Sequence, residues 1–145
     1  MEFLNYYLKI ESFPILILTI ILLVIALLHF YWMLGGKWGF EQSLPIKTNG
    51  EFLFIPGKLA SGLVGVALTG MVYFVFLKIQ NQESDIWLYQ YGVYLLGTIF
   101  FLRAIGDFKY VGFFKKIKDT SFAKNDTYYY SPLCLLIGIL FFWIG

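Results

Sequence analysis

Cysteine occurs once and histidine once in 145 residues, and only 14% of the residues are charged. A single cysteine excludes an internal disulfide and a cysteine-based zinc site. The spacings HExxH, CxxC and Glu-x-x-His are all absent, so no metal ligation is expected. Soluble domains carry about 25% charged residues, and this chain is far short of that. The net charge of +2 is too small for a nucleic-acid-binding surface. No GxxxxGK[ST] phosphate loop is present, and no nucleophile elbow supports a serine triad. No cofactor is indicated.

What the sequence has instead is apolar and aromatic residues, 59% and 21%. They fall into four uncharged runs. The first, 13–34, has 22 residues and includes only Thr19 and His29 as markedly polar members. At 1.5 Å per residue it reaches about 33 Å, enough for a hydrocarbon core. A cleaved leader fits it badly, because Glu2 and Glu11 oppose a basic start and GGKWG offers no cleavage site. The other runs are 59–77, 86–105 (counting Arg103) and 128–144. Their continuity excludes the ten-residue alternation of a membrane β-barrel. The expected fold is therefore all-α: one integral membrane domain over 1–145 forming a four-transmembrane-helix bundle. Its loops would be 35–58 and 106–127.

Charge sets the orientation. Loops one and three, with the adjoining helix ends, carry nine lysines and arginines, whereas Lys9 and Lys78 stand alone on the other side. The positive-inside rule puts both loops in the cytoplasm and both termini outside. Trp32, Trp38, Trp87 and the tyrosines at 128–130 would form the interfacial aromatic belt.

The second run carries Ser61, Gly65 and Thr69 at steps of four, a small-residue face suited to helix packing or to a homo-oligomer. In loop one, Asn49-Gly50 could turn a small hairpin. In loop three, Tyr110, Phe113, Phe114, Ile117 and Ser121 share a helical face, with most lysines elsewhere. That pattern predicts a short cytoplasmic interfacial or re-entrant helix between helices three and four. Asn125 or Asp126 would cap the fourth helix, with Pro132 in its first turn. Cys134 reads as a small buried hydrophobe.

Ionisable groups at membrane depth are site candidates. His29 could act as acid or base, or simply bond to a neighbouring helix. Arg103 and Asp107, four apart, could pair on one face. The same end gathers Trp32, Gly35, Gly36, Lys37, Trp38, Glu41, Asp126 and Tyr130. These residues would either bind a ligand or fix the loops to the helices.

The runs HFYWMLGGKWGFEQSLP (29–45) and RAIGDFKYVGFFKKIKDTSFAKNDTYYYSPLC (103–134) resemble an uncharacterised family of small bacterial membrane proteins, domain-of-unknown-function family 3995. The shared pattern is H-x-x-W-x-x-G-G, then a proline, then R-x-x-G-[DE]-x-x-x-x-G-F and F-x-x-x-D-x-x-x-Y-x-P-L-C. His29, Trp32, Gly35, Gly36, Pro45, Arg103, Gly106, Asp107, Gly112, Phe113, Phe122, Asp126, Tyr130, Pro132, Leu133 and Cys134 occupy it. The resemblance implies a four-helix bacterial membrane protein and no activity. The leading expectation is a polar site at the cytoplasmic interface for a lipid-like or amphiphilic ligand, in contact with membrane lipid. The alternatives are a membrane enzyme using His29 and Arg103, an oligomeric transporter, and a structural or immunity-type protein without chemistry.

Overall fold

Lipid offers the backbone no hydrogen bonds, so an apolar run entering it must pair with itself as helix, whatever its content of β-branched residues. The computed structural model describes residues 2–81 and 86–145, with side chains from Phe13 onward. The side chains of Glu2, Lys9 and Glu11, used in the charge argument, lie outside the described residues. Three helices carry the long runs: α1 (Glu2–Met33), α2 (Lys58–Gln80) and α3 (Trp87–Ile105). Among the described residues, the stretches long and apolar enough to cross a membrane are Phe13–Met33, Lys58–Gln80 and Trp87–Ile105. In α1 the stripe Leu16, Ile20, Val24 and Leu27 is exposed, while Leu18, Leu22 and Ala26 are buried. Both faces are apolar because one meets the core and the other meets lipid.

The fourth rod departs from the sequence reading. It consists of α4 (Ser121–Asn125), a π-helical turn at Asp126–Tyr130 and α5 (Ser131–Trp143). The 13 residues of α5 reach about 20 Å, short of the roughly 30 Å core. Helix α5 runs antiparallel against α3: Gly138 meets Gly97, and Phe142 packs on Phe101 and Tyr94. It ends level with Tyr94, short of the start of α3. The expected bundle of four membrane-spanning helices is therefore corrected to three, with the short α5 packed beside them.

The expected interfacial or re-entrant helix is also not seen, since residues 106–120 contain no helix. Its physical competitor is Asp107. That carboxylate accepts the amides of Lys109, Tyr110 and Val111 at 2.9, 2.7 and 2.9 Å. Such local bonding offers the backbone an alternative to helix. Gly106, Phe108 and Gly112 have φ of 93°, 61° and 90°, further closing the turn. The amides of Phe113 and Phe114 then satisfy the free carbonyls of Ala104 and Ile105 at the end of α3. The fourth-rod cap also differs: Thr120, not Asn125 or Asp126, accepts the Ala123 amide at 3.1 Å.

Packing is arranged in two pairs, α1 with α2 and α3 with α5. Gly62 and Gly65 receive Met33 and Phe30 of α1, so the small face of α2 is used within the chain. Leu18, Leu22, Leu68, Val93, Ile137 and Phe141 belong to the core where the pairs meet. The Asn49-Gly50 hairpin forms in minimal form, with one antiparallel bridge between Ile46 and Phe52.

Candidate functional site

At the end of α3 the polar residues converge on one carboxylate. Asp126 Oδ1 accepts from Arg103 Nη2 at 2.8 Å. Asp126 Oδ2 accepts from the Gly112 amide at 2.7 Å, Lys115 Nζ at 3.0 Å and Ser131 Oγ at 3.2 Å. The bond from Ser131 depends on the π turn. Residues five apart diverge in an α-helix, but one extra residue per turn superposes them. Lys115 of the lysine-rich third loop is buried. Its ammonium donates to Gly112 O at 2.8 Å and Thr127 Oγ1 at 2.7 Å as well as to Asp126. All three of its protons are used.

Burial alone would push the Asp126 carboxyl up. The bonds and charge of Arg103, the bond from Lys115 and the Gly112 amide outweigh it and hold the group below the ordinary range. Two cations against one carboxylate leave the network with one positive charge in excess. Arg103 Nη1 is buried with no partner, alone among the described side-chain nitrogens and oxygens. Asp107 does not pair with Arg103. It lies beyond Gly106, where the helical spacing has ended, and serves the turn instead.

A second feature lies at the same end, between the C-terminus of α1 and the N-terminus of α2. Trp32, Gly35, Gly36, Lys37, Phe40, Glu41, Pro56, Gly57, Lys58 and Ser61 line a cleft of about 370 Å³. Trp32 forms its floor, edge-on to Phe40 at 5.6 Å, with its indole donating to Trp38 O at 2.9 Å. Gly35, with φ of 96°, leaves the α1 terminus beneath the Lys58 ammonium. A Cβ at Gly36 would strike the Tyr31 ring. Helix α2 opens at Gly57 with no side-chain cap. Among the described residues neither Lys37 nor Lys58 has an ion-pair partner.

The network and the cleft flank a short 3-10 turn, Glu41–Ser43. Glu41 lines the cleft, while Gln42 O accepts from the Tyr130 hydroxyl at 3.2 Å. Burial, then the charge of Asp126, push the Tyr130 phenol up, so it stays protonated and able to donate.

A family model described as protein of unknown function (DUF3995) matches residues 22–141. The chain belongs to that family. No curated protein and no solved structure matches it. With its three candidate spans, this member of the family is a multi-pass membrane protein whose exposed apolar faces contact lipid.

The family's R-x-x-G-D-x-x-x-x-G run has a mechanical explanation here. A Cβ on Gly106 would run into Val111 O, and one on Gly112 into Ile105 O, so the two glycines let the chain cross itself. The crossing delivers the Gly112 amide and Lys115 to Asp126. Of the residues expected to form the site, Trp32, Gly35, Gly36, Lys37 and Glu41 meet in the cleft. Arg103 and Asp126 meet in the network, and Trp38 and Tyr130 brace from outside. His29 stands apart: Nδ1 lies 2.8 Å from Ile25 O, and its ring meets Trp32 edge-on at 4.9 Å. No hydrogen bond, ion pair or ring contact joins it to Arg103 among the described residues. Sequence reasoning missed Lys115, Thr127 and Ser131 in the network. It also missed Phe40 and Lys58 in the cleft, although Lys58 at the start of an uncharged run was a legible signal.

Proposed function

We propose that this protein holds an anionic, lipid-like amphiphile at the loop-bearing end of its helices, and that this end faces the cytoplasm. The observation that carries the reading is the convergence of Lys37 and Lys58, neither with an ion-pair partner among the described residues, on a cleft that Trp32 and Phe40 also line. The uncapped start of α2 adds the positive end of a helix dipole, which favours a phosphate or carboxylate. Glu41 is the one carboxylate side chain in the lining, so the cleft is net positive. Exposed Leu34, Trp38 and Leu59 beside it supply apolar contact for the rest of the ligand. In this reading the Asp126 network fixes the cleft wall through Tyr130 and Gln42. The cytoplasmic orientation is supported by Lys37, Lys47, Lys58, Lys109, Lys116, Lys118 and Lys124 at this end, against Lys78 at the other.

The test is retention of phosphatidylglycerol over phosphatidylcholine by the full chain, read by native mass spectrometry from mixed-lipid nanodiscs. With about 1 kcal/mol per lysine near a headgroup, Lys37→Ala with Lys58→Ala should cut that preference about thirty-fold. An unchanged preference in a folded double variant sinks the reading.

A further inference from the structure

From the middle of α2 toward the end opposite the loops, two cavities lie along the helix. The first is a groove of about 330 Å³ between α2 and α3, lined by apolar residues and glycines alone, among them Ala67, Gly70, Met71 and Phe74. It exists because α2 and α3 belong to different pairs and touch only lightly. Gly70 leaves it smooth, since a Cβ there would meet nothing within 4 Å. Gly92 seats the Phe74 ring on the α3 side.

The second is a polar cleft of about 300 Å³ lined by Lys78, Asn81, Tyr89 and Gln90, among others. Positions 67, 70, 71, 74, 78 and 81 follow the three- and four-residue spacing of one helical face, so a single stripe of α2 serves both cavities. Phe74 and Tyr89 stack at a centroid distance of 6.3 Å where the groove gives way to the cleft. Among the described residues no aspartate or glutamate side chain lines either cavity, and Lys78 has no ion-pair partner. From Ala67 to Lys78 is about 16 Å along the helix.

We infer that this stripe is a second, intramembrane lipid site. A phospholipid of the surrounding membrane lays an acyl chain in the α2/α3 groove and sets an anionic headgroup on Lys78. The gradient along α2 selects this occupant. A second copy of the chain would bring an apolar helix face, which matches the groove but offers no anion to the Lys78 ammonium. An anionic phospholipid matches both ends. The site is distinct from the Lys37/Lys58 cleft and stands or falls without it.

The experiment uses the full chain in phosphatidylcholine nanodiscs doped with phosphatidylglycerol, either lipid bearing a diazirine in its acyl chain, with photolabelled peptides mapped by mass spectrometry. Label should concentrate on 67–74 and 88–96 over the more exposed α1 stripe of Leu16, Ile20, Val24 and Leu27. Phosphatidylglycerol should label the groove about five-fold more than phosphatidylcholine, the worth of one lysine at a headgroup. Lys78→Gln should erase that preference while leaving acyl labelling in place. Gly70→Leu, which projects into open space, should remove the labelling itself. The wild-type map decides the matter even where a variant fails to fold. Even labelling around the helices with no headgroup preference overturns the proposal in favour of ordinary boundary lipid. An unlabelled groove accompanied by crosslinks between copies overturns it in favour of a dimer.

Discussion

Asp126 accepts four donors, two of them cationic, while entirely buried. A buried ion pair is weak evidence of net stabilisation, but removing one partner costs about 3–5 kcal/mol because it strands the other charge. Asp126→Asn keeps the size of the side chain and strands the Lys115 ammonium, so a loss of that order is expected in thermal unfolding of the detergent-solubilised protein. The pH dependence follows from the sign of the shift. The carboxyl titrates lower in the folded chain than in the unfolded one. Its contribution is therefore complete above the unfolded value near 4 and drains away as pH falls through the lower folded value. The melting temperature should hold steady down to about pH 5 and drop below about pH 4, with most of that drop missing in the Asn variant. Arg103 and Asp126 were legible as site candidates because charges are rare in this chain. Lys115 was not, since one lysine in a lysine-rich loop looks like its neighbours until the fold supplies a buried carboxylate.

The loop after α3 behaves as a small machined part. Gly106 and Gly112 both have positive φ and pass so closely that neither tolerates a Cβ. Gly112→Ala should cost more than the roughly 1–2 kcal/mol of a left-handed conformation alone, because it also forces two backbones apart. Gly70→Ala, in open space on a helix, should be neutral or mildly stabilising. Comparing folded yield and melting temperature of the two variants checks this. Helices α1 to α3 could be read from the sequence because lipid dictates their form. The fourth rod could not: its uncharged run is long enough on paper, but Ser131 and the π turn tie its first part to the buried network. The amphipathic pattern at 110–121 was real as a pattern, yet the Asp107 carboxylate took the amides that a helix would have used.

Across the whole molecule, both long loops emerge at one end and the α2 terminus at the other. Asn49→Cys and Lys118→Cys should stay protected from an impermeant maleimide in intact cells and react after permeabilisation, whereas Asn81→Cys should react from outside. The reverse pattern would invert the proposed orientation and place the Lys37/Lys58 cleft outside the cell. The division into two pairs is invisible in the sequence, since Gly92 and Gly97, five apart, fall on different faces of α3. Each glycine serves a different neighbour, Phe74 of α2 and Phe142 with Gly138 of α5.

The order of synthesis gives the Arg103–Asp126 pair another meaning. Asp126 follows Arg103 by 23 residues, about one to five seconds at ordinary translation rates. Through that interval α3 waits at the membrane with a guanidinium whose counter-charge is still inside the ribosome. A message cut short before Asp126 releases a chain in which this charge stays unanswered at the bilayer edge.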